Sequence, residues 1–261
     1  MFFLQGHIYS QLDPSRAHPV LIASSDNAVI THKSAGLYAN PATSLIGVSK
    51  GHMTAAFLRR YDTDLRSANA AITWRVGSDG LGFFINSYGI EGFRLTTLAA
   101  SYTKSIGDKA YLSVQPKLSS IQIEDLGQRS QLDLTIGYWQ EISDEWSWSV
   151  HIDQARSLLS TSSLQQLGIA QIGISYLLSD KAALYQSISY TSDGRWSYSP
   201  GLRYSPQNKL DLFISLSTAP STFAAGIDLD LTSDLSLQLG YNSHPQLGSS
   251  LSVSVGYLIE S

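Results

Sequence analysis

The segment LSVSVGYLI places Leu251, Val253, Val255, Tyr257 and Ile259 on one side of an extended chain and Ser252, Ser254 and Gly256 on the other. That alternation returns throughout the chain from about residue 50 onward, and it constrains the fold more than any other feature. LSLQLGY sets Leu235, Leu237, Leu239 and Tyr241 against Ser236, Gln238 and Gly240. QLDLTIGYW sets Leu132, Leu134, Ile136 and Tyr138 against Asp133, Thr135 and Gly137. KLDLFISLS repeats the pattern with Leu210, Leu212, Ile214 and Leu216. A period of two with one apolar face marks β-strands, and helical spacing is nearly absent here.

About fourteen such strands are predicted, near 51–60, 66–76, 80–89, 92–104, 109–118, 131–142, 145–153, 165–178, 181–191, 195–205, 209–217, 222–231, 234–242 and 250–259. Most run about 9 to 12 residues, the length that crosses a bilayer when tilted. Strands of soluble sheets usually stop at about 5 or 6. Between strands, the same abrupt polar corner recurs: Ser78-Asp79-Gly80, Gly107-Asp108-Lys109, Ser143-Asp144-Glu145, Ser179-Asp180-Lys181, and Ser233-Asp234-Leu235, with Pro206-Gln207-Asn208-Lys209 as a relative. Asp and Ser suit such corners because their side chains bond neighbouring amides. All of these are even-numbered connections. The longer ones, 119–130, 154–164 and 243–249, are odd-numbered. Short turns at one end and longer loops at the other are the asymmetry of an outer-membrane barrel. An even strand count places both termini at the short-turn, periplasmic side.

Composition agrees. Charged residues make up only 15% of the chain and hydrophobic residues 43%, where a soluble protein carries roughly 25% charge. Low charge without high hydrophobicity fits an apolar outer surface around a lightly polar interior, and makes membrane lipid the expected surroundings. No run of about 18 apolar residues is present to form a membrane-spanning helix. Net charge is -4, which argues against a nucleic-acid partner. With no cysteine, disulfides and thiolate chemistry are excluded. Trp139, Trp146 and Trp148 flank one turn and Tyr176 and Tyr185 another, with Trp74 and Trp196 read at the same end, as an interfacial girdle.

The first fifty residues do not alternate. Residues 1–11, MFFLQGHIYSQ, read as a signal-peptide remnant ending near Ser10-Gln11. Residues 12–50 read as a segment placed inside or under the barrel of residues 51–261. Asn40 can cap a short helix over 41–47, with Pro41 at its first position and Ala42 next.

Gly36 to Ala42 with its Asn40-Pro41-Ala42, the apparent fourteen-strand count, and the ending LGYNSHPQLGSSLSVSVGY with His244-Pro245 and Leu247-Gly248 carry a resemblance. The chain resembles the FadL/PorV superfamily, which contains the long-chain fatty acid transporters and the PorV and PorQ components associated with type IX secretion. The resemblance implies an all-β fold: a closed antiparallel transmembrane β-barrel of about fourteen strands with a short N-terminal helical plug, in the bacterial outer membrane. It implies first an accessory or structural component of a PorV-like secretion assembly, with a secretion or envelope protein as partner. The alternative is a passage for small hydrophobic molecules, as in the fatty acid transporters. In those transporters a kink in an early strand opens the wall sideways. Gly80, Gly82, Gly89 and Gly92 around Phe83-Phe84-Ile85 therefore predict an irregular third strand and a lateral opening.

Neither a catalytic nor a cofactor or metal site is expected. The sequence holds no GxSxG, HExxH or phosphate loop. Ser149, His151 and Asp153 share one strand face, but same-face neighbours stand about 7 Å apart along a strand, beyond hydrogen-bond reach. Asp133, Asp228 and Asp230 lie on the small-residue face and are read as lumen charges, with Arg203, Lys117 or Arg75 as pairing cations.

Overall fold

Alternation over this many strands leaves each one with an apolar face and two hydrogen-bonding edges. Lipid offers no partner to a free edge, so the sheet closes on itself. The computed structural model describes residues 18–25, 27–61, 63–155 and 168–259. Its strands are β1 (Gly51–Arg59), β2 (Arg66–Val76), β3 (Asp79–Ile90), β4 (Phe93–Ser105), β5 (Ala110–Ile123), β6 (Gly127–Glu141), β7 (Trp146–Asp153), β8 (Ile169–Ser179), β9 (Ala182–Thr191), β10 (Trp196–Gln207), β11 (Leu210–Thr218), β12 (Ser221–Asp230), β13 (Leu235–His244) and β14 (Gly248–Ile259). Each pairs antiparallel with its sequence neighbours, and β1 pairs with β14 from Gly51↔Ile259 to Arg59↔Leu251, closing the barrel.

The two faces separate as the alternation requires. Phe83, Ile85, Leu98, Leu118, Ile188 and Leu251 are exposed on the outside. Serine, threonine, asparagine and glutamine fill the inward rows, as in β14, where Ser250, Ser252 and Ser254 are buried. This is the inside-out arrangement of a transmembrane barrel.

Turn lengths divide by parity less cleanly than predicted: the even-numbered connections are all short and the two longest, 60–65 and 154–168, are odd-numbered, but two of the expected long loops shrink. Residues 119–130 are not a loop: β5 and β6 continue past their apolar stretch and turn at Glu124–Leu126, with Asp125 and Gly127 at positive φ. The ladder runs to Ile123↔Gly127. Backbone bonds need no apolar side chains, so SSIQIEDLGQRSQ extends as a polar hairpin. The connection expected at 243–249 shrinks to 245–247, where His244 Nδ1 accepts from Gln246 N (3.1 Å) and Leu247 N (3.2 Å). The connection after β7 lies mostly outside the described residues.

The aromatic girdle is also rearranged. Trp74, Trp146 and Tyr176 do face outward near the even-numbered turns, and Trp146 packs on Tyr176 at 4.4 Å between ring centroids. Trp196 sits after the odd-numbered turn 192–195, at the opposite end, against Tyr190 at 5.0 Å. The aromatics therefore form a belt at each end, matching two membrane interfaces. Trp139 and Tyr185 are not in either belt; both are buried on the lumen side.

What they meet there is the N-terminal segment. It forms a helix α1 (Pro19–Ala23) and three 3-10 turns, Ala28–Ile30, Lys33–Tyr38 and Pro41–Leu45. Leu21, Leu37, Tyr38 and Leu45 are fully buried. The helix predicted over 41–47 is the 3-10 turn Pro41–Leu45. Asn40 caps it, accepting from Ala42 N at 3.1 Å, with Pro41 in the first position.

Candidate functional site: the plugged lumen and the outer wall

The plug is held by side chains of the wall that bond its backbone. Arg75 donates to Leu45 O and Val48 O, both at 2.8 Å. Gln115 donates to Leu37 O at 3.1 Å, and Thr103 to Pro41 O at 3.1 Å. Asn40 Nδ2 donates to Tyr138 O at 3.0 Å, so the capping residue is also a bolt into β6. On the far side Ser215 Oγ donates to Ala23 O at 2.8 Å, and Gln171 Oε1 accepts from Ala28 N at 3.2 Å. Plug carbonyls and amides buried in the lumen are thereby satisfied, which their burial requires.

Close approach of plug to wall explains the strand glycines. A Cβ on Gly80 would lie 2.3 Å from Leu45, one on Gly82 2.5 Å from Leu37, and one on Gly137 2.0 Å from Asn40. The expected lateral opening at Gly80, Gly82, Gly89 and Gly92 is accordingly not there. β3 pairs without a break to β2, from Val76↔Asp79 to Arg66↔Gly89, and to β4, from Gly80↔Thr103 to Ile90↔Phe93. Gly80 and Gly82 seat the plug. Gly89 packs against the backbone of Phe93 and Arg94, and Gly92 forms the β3–β4 turn at φ +77°. Both readings predict glycine; only the plug's position separates them.

Besides a register shift between Leu177 and Ser179 in the β8–β9 ladder, the wall is interrupted at prolines. Between β4 and β5 the register holds from Phe93↔Ile123 to Ala99↔Lys117 and resumes at Tyr102↔Val114. The missing pairs set Ala100 and Ser101 opposite Pro116 and Gln115, and Pro116 has no N–H to give. Between β10 and β11 the ladder begins only at Gly201↔Ser215, just past Pro200. Beyond it, hydroxyls bridge the strands: Ser197 to Ser217 at 2.9 Å, and Tyr198 N to Thr218 Oγ1 at 2.9 Å.

Outside the first interruption lies an apolar groove of about 870 Å³ running across the outer face of β14, β1 and β2 to β6. Ala55, Ala70 and Ala100 line it between the larger Phe83, Leu98 and Pro116. Directly behind this wall, Ala71, Phe84 and Ala99 pack on Leu21, Leu37 and Tyr38 of the plug. Ala71, Phe84 and Ala99 also border the groove. One sheet thickness, thinned by alanines, thus divides an apolar plug cluster from an apolar outer surface.

The lumen charges are distributed as follows. Asp133 is buried, accepting from Leu134 N (2.7 Å) and Gln131 Nε2 (3.2 Å). Asp228 accepts from Gln238 at 2.8 Å. Asp230 and Arg203 are half-buried on β12 and β10. Of the expected cations, Arg75 bonds plug carbonyls instead of a carboxylate. Lys117, opposite Asp133 in the β5–β6 register, bonds Asp153 at 2.6 Å. Asp153 also accepts from Thr135 at 2.5 Å. Ser149, His151 and Asp153 do share a buried row, but that Asp153 oxygen is the counter-ion of Lys117. Sequence reasoning missed Lys117–Asp153 as a pair because β5 and β7 are not neighbours; only the curvature of the closed sheet brings them together.

A second cavity, of about 150 Å³, lies in the lumen at the end of the odd-numbered turns. Leu21 and Ile22 of α1, Ile169, Ala219 and Pro220 supply its apolar surface; the rest is mostly polar and includes Arg60 and Arg195.

No family model and no curated protein matches the chain. Solved structures match its fold. The Ralstonia pickettii toluene transporter TbuX superposes with a TM-score of 0.72 at 10% identity, over 95% of this chain and 100% of that one. The Pseudomonas putida toluene transporter TodX gives 0.66 at 10% identity, over 92% and 97%. A Pseudomonas aeruginosa FadL homologue gives 0.63 at 9% identity, over 92% and 98%. The expected PorV- or PorQ-like subtype finds no support among these three, while the FadL side of the resemblance does. At such identities the likeness is one of fold: this chain is a closed antiparallel fourteen-stranded transmembrane barrel with a short N-terminal helical plug.

Proposed function

We propose that this barrel is an outer-membrane passage for small hydrophobic molecules, with both termini on the periplasmic side and an exit through the wall at β4–β5. The observation that carries the reading is the thin alanine wall between the plug cluster and the outer groove, together with the lapse in pairing at Pro116. A hydrophobic solute leaving sideways enters lipid directly and never has to cross a polar lumen from end to end. The fold neighbours described as toluene transporters support this reading over the accessory one. No observation favours an accessory component of a secretion assembly, and that role is not carried further.

The test is uptake of the fluorescent hydrophobic probe N-phenylnaphthylamine by liposomes containing the purified chain. Wild-type protein is expected to accelerate uptake over empty liposomes. Pro116→Val, which restores the N–H, and Ala100→Phe, which fills the groove, are each expected to slow it. Uptake no faster than in empty liposomes sinks the passage reading. Unchanged uptake in both variants moves the exit elsewhere.

A further inference from the structure

The cavity at the odd-turn end of the lumen says what kind of molecule the passage takes. Its floor is apolar, made by Leu21, Ile22 and Ile169. Its walls carry hydroxyls and amides from β8 to β14, with Tyr61, Arg60 and Arg195 beside them, the last paired with Asp193 at 2.6 Å. Several of these are already engaged: Ser25 bonds Ser215 at 2.7 Å, Ser197 bonds Ser217 at 2.9 Å, and Ser250 accepts from Tyr61 N at 3.3 Å. Four are not. Among the described residues, the side chains of Ser189, Ser199, Thr222 and Asn242 make no hydrogen bond to the protein, yet all four line the cavity. They come from β9, β10, β12 and β13, within one run of five adjacent strands, so they line one arc of the wall and face the same space.

A volume of about 150 Å³ is that of a cavity which holds one benzene-sized ring. A dry site for such a ring is lined by leucine, isoleucine and phenylalanine throughout. Here a bare hydrocarbon would displace water from four polar side chains and return no hydrogen bond, which lowers affinity. A ring with a hydroxyl or carbonyl replaces those bonds while its apolar body rests on Leu21, Ile22 and Ile169.

We infer that this cavity binds a small amphiphile, a single ring or short apolar body bearing a hydrogen-bonding group such as a phenol or aromatic alcohol, in preference to a plain hydrocarbon. The inference rests on the passage reading for its biological sense, but the cavity binds or fails to bind independently of transport.

Two probes differing by one hydroxyl test it: p-cresol and toluene. Binding to the full purified chain in detergent is followed by saturation-transfer NMR, with Asn242→Leu and the double variant Ser199→Val/Thr222→Val as controls for partition into the micelle. Retention of the heat-modifiable gel shift shows that each variant is folded. The expected result is binding of p-cresol at least about tenfold tighter than toluene, a difference of about 1.4 kcal/mol, and loss of that preference in either variant. Equal binding of the two probes, or a preference unchanged in both variants, overturns the inference. If p-cresol binds with the expected preference but neither compound enters liposomes faster than background, the cavity stands as a binding site and the passage reading falls.

Discussion

Lys117 Nζ and Asp153 Oδ1 lie 2.6 Å apart inside the lumen, on strands that are not neighbours, with side-chain exposures of 3% and 1%. Removing one partner from such a pair leaves the other charge buried, a loss of about 3–5 kcal/mol. Asp153→Asn is therefore expected to lower the unfolding midpoint in detergent sharply, and Lys117→Met with Asp153→Leu to lower it much less. Heat-modifiable gel migration measures both. A single variant as stable as wild type would place the pair in water.

Plug and wall are fitted to each other at Gly82. A side chain there would meet Leu37 at 2.5 Å and Ser101 at 2.4 Å. Gly82→Val is expected to cost about 1–3 kcal/mol through overpacking. Adding Leu37→Ala should recover part of the loss, because it vacates the contested space. Thermal midpoints of the single and double variants check this; additive losses would mean that the plug does not press on β3.

Asn40→Ala removes the cap on the Pro41–Leu45 turn and the bond to Tyr138 O in one step. Loss of a capping side chain typically costs about 1 kcal/mol. Hydrogen exchange at residues 42–46 should rise while the amides of β3 and β6 stay protected. Uniform acceleration across the barrel would instead show that the plug and the strands unfold as one unit.

Acid should loosen the plug. Burial, and then the nearby His52, push the His18 imidazole down from 6.5 to about 3. Burial, followed by Arg203 and with Lys33 contributing least, pushes His32 down to about 4 despite the opposing bond at Val29. Between those values and 6.5 the unfolded segment takes up protons that the folded one refuses. Stability is thus fully present above about pH 6.5 and falls as pH drops toward 4. Proteolysis of the plug should accelerate over that window, less so in a His18→Asn variant, which keeps a capping side chain toward Val20 N. A pH-independent rate counts against buried neutral histidines.

The architecture was legible because alternation is written residue by residue, and closure follows from what lipid forbids. The strand ends were less so. In IQIEDLGQRSQ the apolar pattern stops, but the β5–β6 ladder does not, since pairing of backbone groups is indifferent to side-chain polarity. Asn40-Pro41 announced its own turn because capping is local. Gly80 and Gly82 misled for the opposite reason: a strand glycine can mean a bulge or a close neighbour, and Leu37 and Leu45, some forty residues earlier in the chain, decide which. The polar cavity floored by α1 could not be foreseen, because its lining comes from widely separated strands, and alternation alone does not say which inward residues gather at one height.

One more property follows from where the plug sits. α1 packs on β12, β13 and β14, while the turn Lys33–Tyr38 packs on β1, β2 and β3. Among the described strands, the only joint between distant parts of the sequence is the one between β1 and β14, and the segment from Pro19 to Tyr38 spans it from within. The piece that fills the lumen is also a clasp across the seam, so the cylinder cannot be unzipped at its weakest topological point without first drawing out its own stopper.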